Sequence, residues 1–323
     1  MIRDGFLGEL QRARRPLIIG SLLRDDLLRG VRDPVRDLQG HDGCVELLNI
    51  TRPDLVADHH RSLVDAGAEV LATNTVGAAQ QILSKYRMKD ESFAVSYLAA
   101  EIAVGVARAG PAHSGRPVTV LGEVWAPWRM PLSGFITCRE VEDTVASISS
   151  GLASGGVDAI HLQTAHYPGH LAAAFAGVRA GLSEAGRWTP VLVSVRHDTL
   201  GWEPSRDEIR NDIMAAASLA YGLQAAAISV EAGDLGSDAL VCLAKEVDGP
   251  LFVSTATPPS LAWAALSDSV ISPRLRLVSA ARAAEIWRLS RRPPTCIEHK
   301  ETAPVTANDN LSELSERARS GAD

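Results

Sequence analysis

Pro53-Asp-Leu-Val-Ala-Asp-His-His-Arg-Ser-Leu-Val-Asp-Ala-Gly-Ala-Glu-Val-Leu-Ala-Thr-Asn-Thr75 is the stretch from which the fold is read. A helix over Asp54–Ala66 follows Pro53, and a short apolar strand, Glu69–Thr73, comes directly after it. The same alternation runs along the chain. Candidate strands are Pro16–Gly20, Glu69–Thr73, Pro117–Gly122, Asp158–Gln163, Pro190–Arg196, Ala225–Val230, Pro250–Ser254 and Arg274–Val278. Several are near-continuous Val/Leu/Ile, the pattern of parallel strands covered on both faces. Helical patterns fill the gaps: Phe93–Arg108 with Ser92 as N-cap, Arg139–Ser154 after Thr137, Pro168–Ala185, Ser205–Gly222, Ser237–Val247, Ser260–Leu266 and Ala280–Leu289. Ser205-Arg-Asp-Glu208 reads as a capping box. Eight βα units in one chain predict an α/β fold, a (β/α)8 TIM barrel. The alternative, an open doubly wound sheet, usually carries a glycine fingerprint after its first strand, and Gly20-Ser-Leu-Leu-Arg-Asp25 has none.

At 323 residues the chain suits one such barrel, expected over residues 1–290. Beyond Leu289 the alternation stops. Residues 291–323 are polar, with Pro293, Pro294 and a Thr-Ala-Asn-Asp-Asn stretch, and read as a flexible, disordered tail with room for a short helix at Asn310–Arg319. Apolar residues make up 46% and aromatic ones only 5%, so alanine, valine and leucine must carry the core. The net charge is -7 and no long basic run occurs, which argues against nucleic acid or an anionic membrane as partner. Cys44, Cys138, Cys242 and Cys296 are scattered without a CxxC pair, which fits a reducing compartment. Arg3, Asp4 and Glu9 interrupt the N-terminal apolar residues, so no signal peptide is read there. No stretch comes near the roughly 20 apolar residues that span a bilayer. The expected location is the cytoplasm.

Three segments carry a family resemblance. The stretch quoted above, continuing through Val76-Gly-Ala78, places a His-Arg pair before Ala-Gly-Ala and ends its strand in Thr-Asn-Thr. Leu152-Ala-Ser-Gly-Gly-Val-Asp-Ala-Ile-His-Leu-Gln-Thr164 is the second, and Val278–Leu289 the third and weaker one. Over about residues 16–290 the chain resembles the homocysteine S-methyltransferase family, which implies the TIM barrel and methyl transfer between small molecules. The resemblance also implies a zinc ion held by three cysteines, one closing a late strand and two adjacent near the end of the barrel. The matching positions here read Val230, Val278 and Ser279. Valine has no donor atom, and a serine hydroxyl is a poor ligand for zinc. No zinc or other cofactor is therefore expected. Elsewhere Gln163 stands where the family has glutamate, Gly122-Glu-Val-Trp-Ala126 replaces Gly-Ser-x-Gly-Pro, and Ile19-Gly-Ser-Leu-Leu-Arg24 keeps only the glycine of Asp-Gly-Ala-Met-Gly-Thr.

Barrel enzymes work at the C-terminal ends of their strands. The residues there are Asn74 and Thr75 after the second strand, Glu123 and Trp125 after the third, and Gln163 and His166 after the fourth. Arg196, His197 and Asp198 follow the fifth, Glu231 the sixth, Thr255 and Thr257 the seventh, and Ser279 the eighth. One reading makes Glu123, His197 and Glu231 catalytic, in a rebuilt His/carboxylate site joined by His166 and Asp198. The bland alternative is a set of solvated loop residues paired with Arg196 or Arg129. A second reading is an organic pocket of Asn74, Thr75, Trp125, Gln163, His166, Arg196, Asp198, Thr255 and Ser279. Trp125, with Trp128 and Trp202, would hold a methylated ammonium or sulfonium by cation–π contact, unless the tryptophans simply cap the barrel mouth.

His161 shares strand parity with Gln163 and is expected as a hydrogen-bonded interior histidine. His60, beside His59, is expected as a packing residue. His41 and Cys44 have no specific metal spacing, and Arg12, Arg14 and Arg15 form a solvated cluster. Three functions from different classes follow. They are a methyltransferase-like enzyme without the zinc, a non-catalytic ligand-binding barrel or subunit of a methyl-transfer complex, and an enzyme of another reaction type on the same scaffold. Turnover is left open. A small-molecule ligand is expected, and a partner protein or a second copy of the chain is compatible with the sequence.

Overall fold

The structure, a computed structural model, describes residues 17–20, 24–110, 117–127, 129–130, 134–165, 167–196, 205–231, 251–254 and 275–280. Its strands are β1 (Leu17–Gly20), β2 (Val70–Ala72), β3 (Thr119–Trp125), β4 (Arg129–Met130), β5 (Gly134–Phe135), β6 (Ala159–Ala165), β7 (Val191–Arg196), β8 (Ala227–Glu231), β9 (Leu251–Ser254) and β10 (Leu275–Ala280). Eight of them pair in parallel and close on themselves in the order β1-β10-β9-β8-β7-β6-β3-β2. All eight expected strands are present, and the fold is a closed α/β barrel. The remaining two, β4 and β5, form a small antiparallel hairpin with Arg129 opposite Phe135, which sequence periodicity did not reveal.

Two strands run further than their apolar runs suggested. β3 continues through Glu123 to Trp125, and β6 continues past Gln163 to Ala165. Glu123 is therefore a strand residue inside the barrel wall, not a loop residue, and Gln163 lies within its strand and not at its end.

The helices are α1 (Arg24–Gly30), α2 (Pro34–Asp37), α3 (Leu48–Thr51), α4 (Pro53–Ala66), α5 (Gln80–Leu83), α6 (Ser92–Ala109), α7 (Cys138–Gly155), α8 (Pro168–Glu184) and α9 (Arg206–Gly222). Thr137 caps α7 in a capping box with Glu140, and Ser205 caps α9 with Glu208 as its motif predicts. Ser92 does not cap α6. It is the first helical residue, and its hydroxyl donates to the Ala78 carbonyl at 2.7 Å. The helices expected at 237–247, 260–266 and 280–289 and the tail 291–323 lie outside the described residues, except that Ala280 closes β10.

Inside the ring, Ile19, Val70, Leu121, Ala159, Leu192 and Ala227 form an apolar layer near the N-terminal ends of the strands. The larger core lies between strands and helices, where Val120, Ile160, Leu162 and Val193 meet Val95, Val141, Ile148 and Val178. Contrary to the sequence expectation, Lys89–Ala109 is long and apolar enough, by length and composition, to cross a membrane. Its alanines serve packing: α6 lies against α4 and α7, so Ala99, Ala100 and Ala103 are fully buried.

Glycine sets how closely α6, α7 and α8 approach. A β-carbon on Gly151 would lie 2.5 Å from the Phe93 carbonyl oxygen, and one on Gly181 would collide with the Ala146 carbonyl and lie 2.7 Å from Ser150 N. Backbone cannot give way as a flexible side chain can, so Gly181→Ala is expected to cost about 2 kcal/mol. Urea unfolding at pH 7 checks this, and an unchanged midpoint would show that the helices slide apart freely.

Candidate functional site in the barrel lumen

Strand parity assembles the site. On β3 the residues sharing the inner face with Leu121 are Glu123 and Trp125, and on β6 those sharing it with Ala159 are His161 and Gln163. The β3–β6 register sets Glu123 beside His161 and Trp125 beside Gln163. His161 Nδ1 lies 2.9 and 3.0 Å from the two Glu123 carboxylate oxygens, and Gln163 Nε2 donates to Oε2 at 2.7 Å. The Glu123 side chain is 8% exposed and that of His161 13%, so the pair is largely withdrawn from water.

The backbone at Glu123 is pinned from β2. Its N–H donates to Thr73 Oγ1 at 2.9 Å, and its carbonyl accepts from Thr75 Oγ1 at 2.6 Å. Because the Thr75 proton is engaged there, Thr73 must donate in the 2.7 Å contact between the two hydroxyls. The carboxylate thus starts from a fixed strand and ends between two fixed donors.

Burial disfavours the charged imidazole of His161. The Glu123 charge and hydrogen bond outweigh it together and raise the His161 pKa above its ordinary value. With Nδ1 donating to the carboxylate, the neutral ring presents Nε2 as an acceptor, and among the described residues no group engages it.

Asn74, expected to touch a ligand, makes side-chain hydrogen bonds within the chain. Its amide donates to Val45 O at 2.9 Å and Asn49 Oδ1 at 3.0 Å, while Asn49 donates back to Asn74 O at 2.9 Å. That exchange ties the tip of β2 to α3 and to the turn before it. Thr75 is fully buried and acts on Glu123 as above. Trp125, at the end of β3, is half-buried. Arg196, Glu231 and Ser279 sit at the ends of β7, β8 and β10, in register with Ala165, Ser254 and Ile19. Trp128, His166, His197, Asp198, Trp202, Thr255 and Thr257 lie outside the described residues.

Several groups were missed or undervalued. His161 is hydrogen-bonded, as expected, but its partner is the acid Glu123, so it belongs to the site itself. Thr73 was read only as part of a motif. Glu46 is buried, accepts from Gly77 N at 2.7 Å, and burial pushes its carboxyl above the usual range. Beside it, burial, helped by the Glu46 charge, pushes the Cys44 thiol up to about 11, so it is an unreactive thiol. His170, on α8, meets the Thr164 hydroxyl at 2.7 Å behind the barrel wall. The alternating parity of 121-123-125 and 159-161-163 was the sequence signal for Glu123, His161 and Gln163. It needed the register to become a contact.

Val230, Val278 and Ser279, the positions that the resemblance assigns to zinc cysteines, lie near the ends of β8 and β10. Ser194 pairs with Ser229, and Glu231 pairs with Ser254, so positions 229 and 231 carry the inner parity of β8 and Val230 the outer one. On β10, position 279 pairs with Ile19 of the inner layer, and Val278 pairs with Ile18 and Val253. Cys44 is buried before α3, and Cys138 is exposed at the start of α7. Among the described residues no cluster of three or more His, Cys, Asp or Glu could hold a metal ion.

Known proteins resemble the chain in sequence and in fold. The methionine synthase of Mycobacterium leprae (strain TN) is 31% identical over 194 residues, which make up 59% of this chain and 16% of that protein. The methionine synthase of Mycobacterium tuberculosis (strain ATCC 25618 / H37Rv) is 33% identical over 165 residues, 51% of this chain and 14% of that one. The chain therefore spans about a sixth of the length of the curated relatives it matches. Among solved structures, the metallated form of the homocysteine methyltransferase MmuM from Escherichia coli superposes with a TM-score of 0.67 at 16% identity. That match covers 88% of this chain and 99% of the other, and it supports the barrel fold. Residues 2–230 match the homocysteine S-methyltransferase family pattern, a span that includes the whole Glu123, His161 and Gln163 constellation. The chain belongs to the homocysteine S-methyltransferase family.

Proposed function

We propose that this barrel binds a small polar molecule in its lumen and transfers a methyl group between small molecules without the three-cysteine zinc centre of its family. One observation carries the reading: a buried carboxylate, Glu123, is held by His161 and Gln163 on the lumen face, at hydrogen-bond distance from both. This reading takes the rebuilt His/carboxylate site to lie one layer deeper than the rim, with His161 as its histidine, and the Glu123–His161 contact supports it. A buried carboxylate beside the half-buried Trp125 suits a methylated ammonium or sulfonium, whose charge is offset by Glu123 and whose methyl groups meet the indole face. Glu231 and His197 are proposed to complete the reacting end. Arg196, Asp198, Gln163, His166, Thr255 and Ser279 would line the ligand. The free thiols Cys44 and Cys138 suit the reducing cytoplasm.

Elemental analysis of the purified protein should find no stoichiometric zinc. Calorimetry should find binding of a methylated sulfonium amino acid that Glu123→Gln weakens roughly tenfold or more, the effect of one lost charge-assisted contact. One zinc per chain, or indifference of the protein to onium compounds and thiols alike, would overturn the reading. Binding without turnover, with every candidate acceptor tried, would assign the chain to the ligand-binding class.

A further inference from the structure

We propose that Nε2 of His161 is the base that takes the proton from a thiol acceptor, so that the Glu123–His161 pair generates the thiolate. The inference rests on the methyl-transfer reading above and assigns the acceptor side of it. Three features point to this atom. Nδ1 is held by both oxygens of Glu123, which fixes the tautomer with the Nε2 lone pair available. The carboxylate cannot swing away, because Gln163 holds Oε2 and the Thr73–Thr75 pair pins the strand beneath it. No described residue engages Nε2. The raised pKa of His161 is in keeping with this role, since it narrows the gap to an ordinary thiol near about 8.5.

Among the described residues, Arg196 on the adjacent β7 and Glu231 on β8, one strand further round the ring, are charged and share the register parity of Glu123 and His161.

The chemistry balances without a metal. The thiol proton passes to Nε2, giving an imidazolium stabilised by Glu123 and a thiolate. A sulfur lone pair attacks the methyl carbon of a sulfonium or quaternary ammonium donor, and the carbon–onium bond breaks with its electron pair going to the leaving sulfide or amine. Thioether and neutral leaving group depart, and His161 returns its proton to water.

The test uses chelator-treated full-length protein and homocysteine as the probe, read by the ultraviolet absorbance of the thiolate and by calorimetry. At neutral pH and saturating homocysteine, the wild type should raise the thiolate fraction roughly tenfold over free ligand, the equivalent of about one pKa unit. His161→Gln and His161→Asn should abolish that rise. A nitrogen-15 titration of wild-type His161 reads the same proton without any variant and should show the ring becoming imidazolium as homocysteine binds. A thiolate signal that survives both substitutions, or homocysteine bound wholly as the thiol, overturns the assignment. If homocysteine fails to bind while an onium compound binds, this inference falls and the ligand reading stands. If neither binds, both fall.

Discussion

Replacing His60 by leucine is expected to remove on the order of 5 kcal/mol of acid destabilisation between neutral pH and about pH 3. His60 lies in α4 with no exposed surface, and among the described residues neither ring nitrogen has a hydrogen-bond partner. Burial, with a smaller contribution from His59, lowers its pKa from 6.5 to about 3. As pH falls below 6.5 the unfolded chain takes up a proton that the folded chain refuses. Stability is therefore intact above 6.5 and drains away towards pH 3, at up to about 1.4 kcal/mol per pH unit. His161 and Glu46 run the opposite way. Their folded pKa values are raised, so their contribution is full at low pH and declines as pH rises. The total curve is therefore shallower than the His60 part, and only a comparison with His60→Leu isolates it. Urea unfolding at pH 7 should find the two proteins within about 1 kcal/mol, because leucine also removes an unsatisfied polar group. At pH 4.5 the variant should be more stable by about 2 to 3 kcal/mol more than at pH 7. Parallel curves would mean that the native protein already charges or hydrates this ring.

Gln163→Glu is the second large expectation. It would set a second carboxylate where the Gln163 amide now donates to Glu123 at 2.7 Å, exchanging a hydrogen bond for like-charge contact in a largely buried site. Two carboxylates so placed cannot both ionise, and one of them must keep a proton well above the usual carboxylate range. The variant should lose about 3 kcal/mol at pH 7 and recover much of it near pH 5, where the pair shares a proton. Glu123→Gln combined with Gln163→Glu places the single charge on β6, and should restore about 1 to 3 kcal/mol relative to the sum of the single changes. Strict additivity would show that the two side chains do not interact in solution.

The barrel was legible because its strands are continuous apolar runs of the right length, separated by helix-length gaps. The site was legible by residue type and not by depth. A strand bearing an inward carboxylate looks in sequence as though it stops there, so the apolar run Pro117–Gly122 ended one residue before Glu123, and β3 in fact reaches Trp125. His161 looked like an interior histidine until the register supplied its partner on another strand. The hydrogen-bond partner of Asn74 was not legible, because nothing local announces that Asn49 comes round to meet it. The β4–β5 hairpin escaped for a simpler reason: strands of two residues leave no period to detect.

The closing of the ring has a consequence for biosynthesis. Leu17, in the first strand to leave the ribosome, finds one of its two neighbours in Leu277 of the last. Until that late segment emerges, the nascent sheet carries raw borders at β1 and β9 and shows water the face bearing Glu123 and His161. Such distant pairing slows folding, and open sheet borders invite self-association until the strand that closes the ring arrives.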